Sequence, residues 1–454
     1  MWQPFQDGVE RGVRQQGNCR PRSNGREAEV NVPGGGPERI ELAAEQAFQG
    51  WEQQVEVTGS RDQLKILYLG VNPWQGIKQR PQHLAEGLAI RNRVIYLNPV
   101  PPGIPHSIHA SPKSPFDERT LLKSGIERRL FVTTKLNERL IAIDVHGLPG
   151  SYISTRLHSV QLNVLFHLLL KGLSRDDSYP DVLWLSHPRQ VSAARQISSK
   201  TVLCYDCMDD YPRMVRASHR RRSVRNEEEV LSRADIVFAT SKTLEEKCKL
   251  LARRVVRVPN GVDFERFASS DGGTFGERRP TSAPVLGYFG WIDLWTDIEL
   301  VSQIAAARPT WVIRMIGPRN NPHCEELRRV ANVEFIDEVP YDRLPDYAQK
   351  FDVCIMPFVI DDMTQSINPV KMYEYLATGK PVVSTDLPEV RNLTPLVRVA
   401  RDSRDFISEV EHALKEKDPS LGARRREVAQ LNTWDRRVQL IETEIRKSLG
   451  SPEC

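Results

Sequence analysis

LKILYLGVNPWQGIKQRPQHLAEGLAIRNRVIYLNPV, residues 64 to 100, is the stretch that decides the fold. LKILYLGV (Leu64–Val71) is a short apolar run ending at glycine, the pattern of a strand buried on both faces of a parallel sheet. A polar loop follows. RPQHLAEGLAI then carries Leu84, Leu88 and Ile90 at helical spacing, and RVIYLNPV (Arg93–Val100) is a second buried strand. Strand, helix and strand in that order form a βαβ unit.

Working outward, the alternation persists. Leu130–Val132, Leu140–Val145, DVLWLSHP (Asp181–Pro188), TVLCYDCMDD (Thr201–Asp210), ADIVFATS (Ala234–Ser241) and RVVRVPNG (Arg254–Gly261) read as further strands, and Thr155–Leu173 as a long apolar helix. Between Asp263 and Pro284 the chain turns to Ser, Gly, Thr, Arg and Pro, a linker signature. Alternation restarts with Pro284–Gly290, Trp311–Gly317, Val333–Val339, Asp352–Phe358 and Pro381–Asp386. At 454 residues one core is too few. The expectation is an α/β protein of two Rossmann-like, doubly wound domains facing a cleft. Residues 63–265 form the first domain, 283–435 the second and 436–454 a terminal helix and tail. Residues 1–62, with Pro33-Gly-Gly-Gly-Pro37 and little apolar periodicity, read as a disordered extension, with a short helix near Glu38–Gln49.

Composition narrows the function. A net charge of +4 is too small for a nucleic-acid binder of this length. No apolar run approaches the roughly 18–20 residues of a membrane span, and the first residues lack a secretory core. Seven scattered cysteines suit reduced thiols in the cytoplasm. Cys204 and Cys207 have C-x-x-C spacing but no second pair, so they read as core residues. No motif calls for a metal or a bound cofactor.

The chemistry is expected near PFVIDDMTQSINPVKMYEYLATGKP (Pro357–Pro381). A strand ends at Phe358, and Asn368-Pro369 reads as N-cap and first position of a helix that stops at Gly379. A helix N-terminus at the carboxyl end of a parallel sheet is an anion site. Lys371 in its first turn adds the charge a diphosphate needs. Glu374, one turn on, can receive ribose hydroxyls.

This segment resembles the donor-binding region of GT-B glycosyltransferases, in particular glycosyltransferase family 4 (group 1), in its Glu374-Tyr-Leu-Ala-Thr-Gly379-Lys-Pro381-Val-Val383 ending. Ala234–Ser241, VPNGVDFERF (Val258–Phe267), LGYFG (Leu286–Gly290), Ile316–Pro318 and Pro340–Phe358 fit the same family in order. The resemblance implies that Glu374 contacts the nucleotide ribose and that the turn Gly287–Gly290 approaches the phosphates. There are two departures. The family's second glutamate is replaced by Ser366, and the basic residues it places after the glycine turn are absent, acids Asp293 and Asp297 standing there. Lys371, with Arg319 of the IGPRN loop, is then expected to carry the phosphates. The Asn-Pro-Val-Lys piece is similar to bacterial polysaccharide enzymes of the teichuronic-acid and xanthan types. The resemblance therefore implies a glycosyltransferase using a nucleotide-sugar, by default a UDP-sugar, on a glycan or lipid-linked acceptor.

In the family the first domain binds the acceptor, which makes Arg80 and His83 candidate acceptor residues. Strand ends supply candidate bases: His187, and Asp206, Asp209 and Asp210 of YDCMDDY. HRRRSVR (His219–Arg225) reads as a solvated face or as a contact for anionic lipid head groups at the inner membrane face. Thr155–Leu173 reads as packed on the sheet before membrane contact. Two rival functions share the scaffold: a nucleotide-sugar epimerase, and a binding or scaffolding protein that has lost its chemistry.

Overall fold

A computed structural model of the chain describes residues 63–99, 131–145, 179–268 and 283–450, with part of a helix between 163 and 173. The expected extension, residues 1–62, and residues 269–282 of the linker lie outside the described residues.

The first sheet contains β1 (Lys65–Leu69), β2 (Arg93–Leu97), β3 (Phe131–Lys135), β4 (Leu140–Val145), β5 (Val182–Leu185), β6 (Val202–Cys207), β7 (Ile236–Ala239) and β8 (Val255–Arg257). Their order is β3-β4-β2-β1-β5-β6-β7-β8. The second sheet holds β9 (Val285–Phe289), β10 (Val312–Ile316), β11 (Val333–Ile336), β12 (Val353–Met356), β13 (Val382–Thr385) and β14 (Val397–Ala400), ordered β11-β10-β9-β12-β13-β14. All pairings are parallel except β3 on β4. That antiparallel edge departs from the uniformly parallel reading. β14 also went unread, because four residues interrupted by Arg398 carry too short an apolar signal.

Both sheets are covered on both faces, which is why their strands are almost wholly apolar. In β1, Leu67 and Leu69 join one core while Ile66 and Tyr68 join the other. In β12, Val353 and Ile355 divide in the same way from Cys354 and Met356. The C-x-x-C pair divides too: Cys204 faces one layer and Cys207 the opposite one, so the two thiols line cores. Phe166, Leu169, Leu170 and Leu173 of the expected long helix are buried against the first sheet. No helix among the described residues is long and apolar enough to span a bilayer.

Four helices matter for function: α1 (Arg80–Leu88), α2 (Ala217–Arg233), α3 (Val370–Thr378) and α4 (Trp434–Ser448). After the second domain the chain returns to the first. Trp434, Val438, Ile441 and Ile445 of α4 complete the core over β1 and α1. The fit is close, since a Cβ on Gly87 would lie 2.5 Å from a Val438 methyl carbon.

In each sheet the strand order reverses beside the first strand, between β1 and β5 and between β9 and β12. Ligands of open α/β sheets bind at such reversals, beyond the carboxyl ends of the strands. The two domains touch across those ends. Ser241 Oγ donates to the Ser366 carbonyl at 2.6 Å, and Arg213 pairs with Asp362.

Candidate active site

α3 follows the strand-end loop after β12. It has no side-chain cap and no acid in its first turn, so its positive end is uncompensated. Pro369 is its N-cap, which corrects the expectation for Asn368. The buried Asn368 side chain instead accepts from the Asn260 amide at 2.8 Å and donates to Glu389 at 3.0 Å. Asn260 of the hinge also donates to the Asn368 carbonyl. The helix ends at left-handed Gly379, φ 76°, where a glycine was expected.

Lys371 lies in the first turn of α3. Its Nζ donates to Tyr288 Oη at 2.7 Å and sits 4.1 Å above the Tyr288 ring and 5.0 Å from that of Phe358. No carboxylate pairs with it among the described residues. Gly290 approaches it so closely that a Cβ there would stand 3.2 Å from Lys371 Nζ, and its φ of 121° favours glycine. Gly287 has a different reason to be glycine: a Cβ would lie 2.0 Å from the Phe351 ring, inside the core. Its expected approach to phosphate is therefore replaced by packing.

Glu374 is buried, 4% exposed. Burial pushes its carboxyl up to about 7, against the opposing effects of the Tyr341 phenol and Lys371, while Asp263 pushes the same way as burial. Tyr341 reaches this position from the turn after β11. Its ring meets His83 edge-on at 5.0 Å, with Lys78 and Arg266 over it at 5.7 and 5.8 Å. Sequence reasoning missed Tyr341. Its only signal was an aromatic residue between Pro340 and Asp342 in a segment that otherwise opens a helix.

The acids after the glycine turn have local work. Asp297 caps the helix Ile298–Ala307 through the Leu300 amide at 2.8 Å, and Asp293 receives Leu294 N and Asn320 Nδ2. They order the loop. Arg319 does not join Lys371: it pairs with Asp337 at 2.6 Å and lies over the Phe335 ring. Buried Ser366 donates to the Met363 carbonyl at 2.9 Å. It holds the strand-end loop, which corrects any direct reading of its hydroxyl as a donor-sugar contact.

On the first domain, Arg80 is 3% exposed and committed to Asp206, with Nε 2.9 Å and Nη2 2.8 Å from the carboxylate. Its remaining nitrogen reaches Pro259 and Asn260 of the hinge. No guanidinium edge is left for an acceptor anion, which corrects that expectation for Arg80. His83 is also buried. It stacks on Trp434 at 4.7 Å, and burial, then Lys78 and Arg266, hold its proton affinity well below that of a free imidazole. It joins the domains through Tyr341 rather than facing an open acceptor pocket.

Of the four candidate bases, Asp206 is committed to Arg80, and the other three separate cleanly. His187 Nδ1 accepts from Arg189 N at 2.9 Å, which places the ring hydrogen on Nε2. Burial and then Arg189 lower its pKa to about 3. With its acceptor nitrogen occupied, His187 is a donor, and the expectation of a base is corrected. Asp210 pairs with Lys247 at 2.9 Å and Arg213 at 3.1 Å, and Lys247 also holds Glu227 at 2.6 Å, a structural network. Asp209 is half-buried and makes no side-chain hydrogen bond or ion pair among the described residues. Burial, then Asp206, raise its carboxyl to about 6, with Arg80 opposing.

Residues 286–416 match the family model described as glycosyl transferases group 1. TuaH of Bacillus subtilis (strain 168), named as a teichuronic acid biosynthesis glycosyltransferase, is 28% identical over 273 residues, 56% of this chain and 68% of that protein. The sucrose-phosphate synthase of Thermosynechococcus elongatus superposes with a TM-score of 0.64 at 15% identity, over 85% of this chain and 99% of that one. HepE of Anabaena, solved with UDP and glucose, gives 0.56 at 16% identity, over 86% and 100% of the chains.

Proposed function

The chain is a glycosyltransferase of the GT-B fold whose second domain belongs to the group 1 glycosyltransferases, and from that premise we propose that it moves a sugar from a UDP-sugar to a glycan or lipid-linked acceptor in cell-surface polysaccharide synthesis. The observation that carries the reading is Lys371 against the Gly290 turn at the open end of α3. Together they offer a full charge, close backbone and a helix dipole at one point. The UDP and glucose held by HepE and the name of the Bacillus relative support the donor and the pathway class.

In the proposed reaction the acceptor hydroxyl oxygen bonds to the anomeric carbon as the bond from that carbon to the β-phosphate oxygen breaks. Charge gathers on the departing UDP, where Lys371 and the α3 terminus stabilise it in place before the reaction begins. Glu374 receives the ribose hydroxyls. Asp209, the uncommitted carboxylate, takes the hydroxyl proton. No cofactor or metal enters this scheme, since Lys371 supplies the neutralising charge. The proposed setting is the cytoplasm, at the inner face of the membrane.

Calorimetric titration with UDP, GDP and ADP tests the donor assignment. UDP should bind selectively, and Lys371→Ala and Glu374→Ala should each weaken it at least about tenfold, as loss of a charged hydrogen bond does. Equal binding by wild type and both variants would remove the donor site from α3.

A further inference from the structure

We propose that Asn260 of the hinge is a positioning residue of the transfer reaction: its carboxamide holds the open end of α3, and with it Lys371, in register with the first-domain strand end that carries Asp209. The inference deepens the proposed reaction and rests on its donor and base assignments.

Asn260 is 8% exposed, and its side chain bonds to both domains. Its backbone N–H donates to Asn368 Oδ1 at 2.8 Å, and its Nδ2 donates to the Asn368 carbonyl. The two asparagines therefore bond reciprocally across the domains, side chain to backbone in both directions. Asn368 immediately precedes Pro369, the N-cap of α3, and stands three residues before Lys371. On the other side, Asn260 Oδ1 accepts from Arg80 Nη1 at 3.3 Å. Arg80 Nε and Nη2 grip Asp206 of β6, and Asp209 follows three residues on. An unbroken run of bonds thus links the end of β6 to the start of α3 through one amide.

The position selects a carboxamide. It needs an acceptor toward a guanidinium and a donor toward a carbonyl, and a carboxamide offers both. Turning the amide over would set its NH2 against Arg80 and its oxygen against the Asn368 carbonyl, so its orientation is fixed. Asn368 is fixed likewise: its Oδ1 faces the Asn260 N–H and its Nδ2 faces the Glu389 carboxylate at 3.0 Å. The hinge backbone is clamped as well. The Asn260 carbonyl accepts from Arg437 Nε at 3.2 Å, and a Cβ on Gly261 would stand 2.9 Å from Trp434 N.

Lys371 and Glu374, the proposed UDP contacts, both lie on α3 in the second domain, whereas transfer also needs Asp209 of the first. A misplacement of about 1 Å between reacting groups can cost about 100-fold in rate. Asn260 acts on the geometry between the two halves, and the affinity of either half for its own ligand does not depend on it.

The test uses the full chain, with UDP as the probe. Hydrogen exchange at residues 208–211, just past the end of β6, is followed with and without UDP while calorimetry reads UDP affinity. In the wild type UDP should slow that exchange by about threefold or more, since ordering the start of α3 orders what is bonded to it. Asn260→Asp sets a carboxylate against the Asn368 carbonyl and should abolish the slowing while UDP affinity stays within about threefold. Asn260→Ala removes the side chain without adding charge and should do the same. Ser241→Ala is the control, because it removes a different bond between the domains, Ser241 Oγ to the Ser366 carbonyl. It should keep the slowing. Slowing that persists in both Asn260 variants, is absent from the wild type, or is lost equally in Ser241→Ala overturns the inference. Failure of the wild type to bind UDP would instead remove the donor reading, and this inference with it.

Discussion

The Tyr341 phenol faces the Glu374 carboxyl, joining the turn after β11 to the middle of α3. Burial raises the proton affinity of both groups, and the phenol holds Glu374 lower than burial alone would. Tyr341 also rests against His83 of the first domain. Tyr341 thus stands between the Glu374 carboxyl and the first domain.

That contact sets a pH dependence. A ribose diol is received by ionised Glu374, so UDP affinity should rise as pH passes through about 7. Tyr341→Phe removes the group that favours ionisation, and the midpoint should move upward by about 0.5–1 unit. Calorimetry of UDP binding between acid and mildly alkaline pH reads it directly. A midpoint that stays in place would separate Tyr341 from Glu374.

Stability follows the same group with a definite sign. Its folded pKa of about 7 exceeds its unfolded one near 4.5, so the folded chain holds the proton more tightly. Its contribution is complete below the unfolded value and is lost as pH rises through the folded value. Glu374→Gln should flatten that loss and gain about 1–3 kcal/mol at pH 8 relative to wild type. Urea midpoints at two pH values check it, and an equal change at pH 4 and pH 8 would contradict it.

Lys371 and Glu374 should divide the nucleotide between them. Lys371→Met is expected to weaken UDP by about tenfold or more and leave uridine binding unchanged, because only the phosphates are lost to it. Glu374→Ala should weaken both. If Lys371→Met weakens uridine as strongly as UDP, the lysine supports the fold and not the phosphates.

Asp209 should govern the acid limb of the reaction. With its carboxyl at about 6, kcat/KM is expected to fall below that pH. Asp209→Asn should lower kcat about 100-fold or more and abolish the limb. A loss under about tenfold would take Asp209 out of the proton transfer and leave that role to the departing phosphate.

Breaking the buried Arg80–Asp206 pair should unfold rather than retune the protein. Asp206→Asn leaves a guanidinium without its partner at 3% exposure, and a cost of about 3–5 kcal/mol is expected. Arg80→Met/Asp206→Leu should cost less than the single change. Thermal denaturation of the three proteins measures both statements.

Much of the fold was legible because buried parallel strands are written as continuous apolar runs, as in Leu64–Leu69 and Val353–Met356. The helical positions of Lys371 and Glu374 were legible for a related reason: they fall in the first turns of a helix whose start and stop are written in Pro369 and Gly379. Pairings between distant residues were not. Arg80 reads as a free cation at a helix start, and nothing near it announces Asp206, 126 residues away. The same holds for Gly287, which is glycine because Phe351 packs on it. Asn368 misled because Asn-Pro is a helix-start signal, whereas its partners are Asn260 of the hinge and Glu389.

The return of α4 to the first domain bears on the order of synthesis. Helix α1 and its sheet emerge from the ribosome before the second domain, yet Trp434, Val438, Ile441 and Ile445, which cover them, follow it. The first domain must therefore wait for the whole second domain before its apolar layer is sealed. Deleting α4 would strip the first domain, not the second, of cover.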